Sequence, residues 1–261
     1  MVQLFKSTKV FLYIRYSFYY NCYLYFFRPA CYRHMVKQTR NESVFLKKLI
    51  GKDCLVFDIG AHVGDKAEMY LEFARKVVSV EPDRSGIRIL KLRHEGNPKF
   101  TLVSKAAGDK PGKNSFYTLG DNSCLNTLSK KWVDRLGDDS NPKFEQPLKL
   151  NNSYEVDVTT LDELIGEFRL PDYIKLDVEG FEENALKGLS QRVDYISLEA
   201  NLPEFREESI RCIQLIDGLG ENARFTYSFS EGLKGVLPEY INATQMKELI
   251  RDTEHEFMEI L

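Results

Sequence analysis

From Ser43 onward, short apolar runs alternate with segments of helical spacing. The runs fall at Leu55–Ile59, Val77–Val80, Thr101–Val103, Tyr173–Val178 and Tyr195–Leu198. Between them, Lys66–Arg75, Ser85–Arg93, Leu161–Phe168, Glu182–Leu189 and Glu204–Leu219 carry apolar residues three and four apart. Continuous apolar strands alternating with amphipathic helices predict an α/β, Rossmann-like fold: a mostly parallel sheet with helices on both faces. Residues 111–153 break the rhythm with Gly, Pro, Asn and Asp and read as a hairpin plus a long loop. The tail predicts a pair of strands around Ser230-Glu231-Gly232, within Phe225–Val236, and then a last helix. There is no internal repeat, so residues 42–261 form one domain.

The first 41 residues are different in kind. They hold seven Lys/Arg and no acid, together with seven of the 14 tyrosines and five of the 17 phenylalanines. Val10–Phe27 carries a single charge, Arg15, but Asn21 and its tyrosines suit a hydrocarbon-facing helix poorly. Arg28-Pro29-Ala30-Cys31 is no signal-peptidase site. Three readings of this extension stay open: a helix packed on the body or on a partner subunit, a peripheral membrane contact, or a leader with Met35 as an alternative start.

Composition narrows the function. The chain has 261 residues and a net charge of −3, but residues 42–261 carry −10 once the basic extension is set aside. A body so acidic excludes a nucleic-acid-binding core. Five cysteines, odd in number and never in C-x-x-C spacing, argue against a disulfide framework or zinc cluster and for a reducing, cytoplasmic setting.

The candidate chemistry lies where strands end. The first strand runs into Asp58-Ile59-Gly60-Ala61-His62-Val63-Gly64-Asp65, whose glycines permit a tight turn and close ligand approach. It is neither a P-loop, having no Gly-Lys-Ser/Thr, nor G-x-G-x-x-G, since His62 stands at the second glycine. Glu81, Asp177 and Glu199 join Asp58 at strand ends, which in a parallel sheet is the ligand-binding edge. Like charges converging there are costly without a compensating ligand, so the crevice suits a ligand with hydroxyls and a positive charge and repels a polyanion. Glu81, 17 residues after Gly64, has the spacing of a carboxylate that accepts two ribose hydroxyls. In Ile174-Lys175-Leu176-Asp177-Val178-Glu179-Gly180 a period of two puts Lys175, Asp177 and Glu179 on one face, expected to look into a site. Lys175 offsets the carboxylates, and Glu179 is the candidate general base.

These pieces together resemble the FkbM-type methyltransferases, a branch of the class I S-adenosylmethionine-dependent enzymes. The matching stretches are Val56–Gly64, Val80-Glu81-Pro82, Ala106–Asp109, Thr159–Asp162 and Ile174–Glu182, in order over roughly residues 42–200. The family usually has Asn at the position of His62.

The resemblance implies a seven-stranded sheet with one antiparallel strand, S-adenosylmethionine as cofactor, and methyl transfer to an oxygen of a sugar, glycan or secondary metabolite. It assigns Asp58, Gly60, Ala61, His62 and Gly64 to the loop around the amino-acid part, Glu81 and Pro82 to the ribose, and Ser104–Ala107, Ala106 among them, to the adenine. Asp177 holds the cofactor's ammonium or shares the catalytic role with Glu179 and Lys175; His62 is an alternative base. A Mg²⁺ on Asp177, Glu199 and Asn201 is a variant. Acceptor contacts are expected from Lys113–Pro147, with Asn122, Ser123 and Trp132. A homo-oligomer is open. The rival readings are a nicotinamide-dinucleotide oxidoreductase on the same sheet and a non-catalytic interaction protein using the aromatic N-terminus.

Overall fold

The structure, a computed structural model, describes residues 29–121, 123–138, 148, 152–230 and 239–261. The helices are α1 (Pro29–Leu49), α2 (Asp65–Leu71), α3 (Arg84–His94), α4 (Lys130–Leu136), α5 (Leu161–Phe168), α6 (Glu182–Lys187), α7 (Arg206–Gly218) and α8 (Ala243–Asp252). The strands are β1 (Leu55–Ile59), β2 (Lys76–Val80), β3 (Phe100–Val103), β4 (Ala106–Ala107), β5 (Gly112–Thr118), β6 (Asn152–Thr159), β7 (Tyr173–Leu176), β8 (Tyr195–Asn201), β9 (Tyr227–Ser228) and β10 (Phe257–Ile260).

Seven strands form one sheet in the order β3-β2-β1-β7-β8-β10-β9, and β10 runs antiparallel to β8 and β9. Burial on both faces explains why the strands read as unbroken apolar runs: every residue of β1 is buried. Leu55, Phe57, Ile59, Ile174, Leu176, Ile196 and Leu198 pack on the side covered by α5, α6, α7 and α8. Val56, Val77 and Tyr173 pack on the other side with Leu46 of α1 and Ala67, Met69 and Tyr70 of α2.

The α1/α2 side carries a polar row. Asp58 is in register with Ser79 and with Lys175, and Lys175 with Ser197. Glu199 and its register partner Glu259 extend it toward β10. Lys175 thus lies on a central strand, as its alternation requires. Its polar face, however, meets the underside of α1 and α2 rather than a site, because the pleat that buries Ile174 and Leu176 sends Lys175 the same way as Tyr173.

Three expectations change. β7 ends at Leu176 rather than Val178. The hairpin of residues 111–153 exists as β5 against β6, Gly112 facing Val158 and Thr118 facing Asn152, but α4 occupies its connection, and β6 also takes β4 to make a second sheet. At the tail, Tyr227–Ser228 pairs with Phe257–Ile260, a strand beyond α8 that the sequence reading lacked; residues 231–238, including Glu231 and Gly232, lie outside the described residues. With Glu259 buried inside it, the four-residue Phe-Met-Glu-Ile run has no clear strand signal.

The expected boundary at residue 41 falls inside α1. Beyond it Leu46 is fully buried, and both oxygens of Glu42 accept from Lys66 Nζ at 2.6 Å. The Val10–Phe27 segment lies outside the described residues; among those described, no helix is long and apolar enough to cross a membrane.

Candidate active site

The sheet reverses its winding between β1 and β7, and at the carboxyl ends of these strands an open cleft of about 110 Å³ is lined by Gly60, His62, Val80, Glu81, Pro82, Asp83, Ala106, Ala107, Asp177 and Glu179. Phe116, Phe181 and Leu128 supply apolar wall, and Ser123, Asn126 and Thr127 supply polar groups. This is the position expected of a small-molecule site in an open α/β sheet.

Gly60 is what lets the two strand ends meet. It takes φ +85°, and a Cβ on it would lie 1.7 Å from the carbonyl oxygen of Asp177. His62 also sits in the left-handed region, at φ 49°. That region favours Asn and, to a lesser degree, His among residues with side chains, so the His62-for-Asn departure keeps the turn. Gly64, at φ +86°, precedes α2 and packs against Leu90 and His94 rather than lining the cleft.

Glu81 is buried at the floor. Its Oε2 accepts the His62 backbone N–H at 2.6 Å and its Oε1 that of Asp83 at 2.7 Å. Burial pushes its carboxyl up to about 8, against those two donors, which favour the ionised form. One lone pair on each oxygen is left for a ligand, the arrangement needed to accept two vicinal hydroxyls. Asp83 caps α3, accepting from Ser85 N at 2.9 Å.

Asp177 and Glu179 open onto the same cleft by different means. Asp177 follows β7 directly, its N–H donating to Ile59 O at 3.0 Å. Glu179 is not on the strand face that a period of two implies: it sits in a turn at φ 52°, followed by Gly180 at φ 83°. The Glu182 carboxylate ties that turn down, accepting from Val178 N at 3.0 Å and Gly180 N at 3.3 Å. Burial and the nearby charges of Asp177, Glu199 and Glu182 hold the Glu179 carboxyl well above the usual range.

Lys175 and Asp58 stand behind the cleft. The Lys175 side chain is 1% exposed, its Nζ 2.8 Å from Glu199 Oε1 and 3.4 Å from Asp177 Oδ2. Burial pulls its pKa down, but Asp177, Glu199 and Glu259 together outweigh that, so it stays an ammonium. It does not line the cleft itself and is placed to orient Asp177, which does. Asp58 is 2% exposed, accepts from Ser79 Oγ at 3.2 Å, and is pushed by burial up to about 6. Ala61 is also buried away from the lining.

The residues considered for Mg²⁺ do not fit one. Asp177 and Glu199 share the Lys175 ammonium, Asn201 lies at the end of β8 facing Phe257, and among the described residues no three His, Cys, Asp or Glu form a metal-holding group.

Of the expected acceptor contacts, Ser123 lines the cleft and Asn122 lies outside the described residues. Trp132 is buried against Phe205, ring centroids 5.6 Å apart. Phe116, Asn126 and Thr127 fall within the expected Lys113–Pro147 stretch without having been singled out, and sequence reasoning missed Asp83 and Phe181. Only Asp83 had a signal, standing as a capping residue directly after Glu81-Pro82. Phe116 lies on β5, Phe181 stands directly before α6, and Asn126 and Thr127 come from a loop without periodicity.

The Methyltransferase FkbM domain model matches residues 58–229. No curated protein gives a match. Among solved structures, the methyltransferase FkbM from Methylobacillus flagellatus is 18% identical over 64% of this chain and 37% of its own length, with a TM-score of 0.44. This chain therefore spans little more than a third of that protein. A TehB-like S-adenosylmethionine-dependent methyltransferase from Corynebacterium glutamicum is 13% identical over 89% of this chain and 97% of its own, TM-score 0.42. The plantazolicin methyltransferase BpumL, solved with a desmethylPZN analog and S-adenosylhomocysteine, is 12% identical over 91% of both chains, TM-score 0.40. At these scores the structural likeness adds nothing to the family assignment, which the sequence match carries. The chain belongs to the FkbM methyltransferase family.

Proposed function

We propose that this enzyme methylates a neutral hydroxyl of a sugar, glycan or secondary metabolite, with Glu179 as general base. One observation supports this best: Glu179 and Asp177 open onto the same cleft as Glu81, and among the described residues no Lys or Arg lines it. An acceptor carrying phosphate or carboxylate beside its reacting oxygen would find no cationic side chain among those lining residues to pair with it.

The cleft fits the family's cofactor, a cation with a ribose diol. Glu81 keeps a free lone pair on each oxygen for the diol, and the loop at Gly60, Ala61 and His62 would hold the amino-acid part. Pro82, Ala106 and Ala107 would flank the adenine, and Asp177 would meet the ammonium. When bound, S-adenosylmethionine supplies an electrophilic methyl group on a sulfonium sulfur. The residues around it align the acceptor oxygen with that methyl, a contribution of about 7–11 kcal/mol in well-oriented reactions. Glu179 would take the proton that the acceptor hydroxyl gives up when the methyl group passes to it from sulfur; such bases contribute about 10²–10⁴-fold. A carboxyl held above its usual range by burial is a stronger base than one in water. Lys175 steadies Asp177 from below.

The test is transfer of label from methyl-tritiated S-adenosylmethionine into fractionated cell extract. Label recovered in a base-stable, uncharged product is expected. Label released by mild base as methanol, the mark of a carboxyl ester, or recovered on an amine would overturn the reading. Glu179→Gln is expected to bind S-adenosylhomocysteine normally and to slow transfer at least 100-fold.

A further inference from the structure

We infer that Asn126 and Thr127 are positioning residues that hold the base at a set distance from the ribose-binding carboxylate. The inference rests on the reading of Glu179 as base. The Thr127 hydroxyl donates to the backbone carbonyl of Glu179 at 2.7 Å and accepts from Ser129 N at 2.8 Å. A carbonyl only accepts and an N–H only donates, so the hydroxyl has one orientation. Thr127 is 1% exposed, and its own backbone is bonded both ways to Tyr117 of β5 at 2.8 and 3.0 Å.

Beside it, the Asn126 amide donates to Asp83 Oδ2 at 2.7 Å and to Gly120 O at 3.1 Å, while its oxygen accepts from Leu119 N at 2.9 Å. Asp83 in turn donates its N–H to Glu81. A continuous chain of bonds therefore crosses the cleft: Glu81, Asp83, Asn126, Thr127, Glu179.

This matters because the Glu179 turn is intrinsically unfavourable. A glutamate at φ 52° lies in a region costing roughly 1–2 kcal/mol, and the Glu182 carboxylate secures only the N–H groups on either side of it. The 179–180 peptide is thus held at two edges, its N–H by Glu182 at 3.3 Å and its carbonyl by Thr127 at 2.7 Å, so losing the shorter bond leaves only the longer one against its rotation. Released, that peptide can turn and carry the carboxylate away from the acceptor. A misplacement of about 1 Å is enough to cost roughly 100-fold in rate.

The test compares Thr127→Val, nearly isosteric, with Thr127→Ser, which keeps the hydroxyl. Three measurements are made: the rate of methyl-tritium transfer to the extract fraction that takes label, S-adenosylhomocysteine affinity by calorimetry, and the pH profile of carbodiimide modification at Glu179, read by peptide mass spectrometry. Thr127→Val is expected to slow transfer at least tenfold, leave the affinity within twofold, and shift the Glu179 modification profile; Thr127→Ser restores all three to near the parent. Should Thr127→Val not fold, judged by Trp132 fluorescence, Thr127→Ala takes its place. A normal rate in Thr127→Val, or equal damage in Val and Ser variants, overturns the inference. A normal rate in Glu179→Gln instead overturns the base assignment, which keeps the two failures apart.

Discussion

Gly60 and Asp177 meet backbone to backbone: a single methyl group on the glycine would stand 1.7 Å from the Asp177 carbonyl oxygen. Rotating a side chain cannot relieve that contact, and φ +85° adds a penalty of roughly 1 kcal/mol for any L side chain. Gly60→Ala is expected to lose cofactor binding and to lower the melting temperature by 5 °C or more, read by calorimetry and thermal unfolding. A variant that melts and binds like the parent would mean that β1 and β7 part more freely than this contact implies.

Glu81 should govern cofactor affinity and its pH dependence. Its carboxyl, pushed by burial up to about 8, must ionise to accept two hydroxyls, so affinity for S-adenosylhomocysteine is expected to rise between pH 6 and 9. Glu81→Ala lowers affinity at least tenfold without unfolding the chain. Glu81→Gln should bind weakly with no such slope; a retained slope would place the titrating group elsewhere.

Stability without cofactor should run the other way. Glu81 is raised to about 8 and Glu182 to about 7, both mainly by burial. The folded state therefore holds protons that the unfolded chain gives up above about pH 4.5, and this contribution, complete below that pH, is lost as pH rises to about 8. The melting temperature is expected to fall from pH 5 to pH 8, and to fall less in Glu81→Gln.

Lys175→Met removes the cation buried among Asp177, Glu199 and Glu259. Leaving buried carboxylates without it costs about 3–5 kcal/mol. Adding Glu199→Gln should recover part of the loss, because one charge then needs no partner. Denaturant titration of the single and double variants measures it, and strict additivity would count against the shared network.

A shortened chain starting at residue 35 keeps Glu42 and Leu46 and is expected to bind cofactor unchanged. A chain starting at residue 51 loses both, uncovering Tyr70 and Tyr173, and should be destabilised by about 3 kcal/mol or more. Equal melting temperatures would show that α1 does not contribute to the core.

Where apolar runs were long and buried on both faces, as at Leu55–Ile59 and Val77–Val80, the sheet was legible, and the acids closing β1 and β2 pointed to the edge where the cleft lies. Legibility failed where a residue's role comes from a turn instead of a period. The pleat assigned Glu179 to a strand face, yet it reaches the cleft through a left-handed turn that no alternation encodes. The same pleat correctly sided Lys175 with Asp177 but could not tell a site from the underside of two helices. Thr127 and Asn126 carry no pattern at all, since the partners that tie them to the site, the Glu179 carbonyl and Asp83, are 52 and 43 residues away.

The acid-lined rim has a consequence for the protein's lifetime in the cell. Its carboxyls are spaced for a positively charged guest, and whatever binds only the folded form adds to its stability with concentration. When the methyl donor runs short, more molecules stand without it and open more often to proteases. The enzyme's abundance is thereby expected to follow the supply of its own cofactor, with no dedicated sensor.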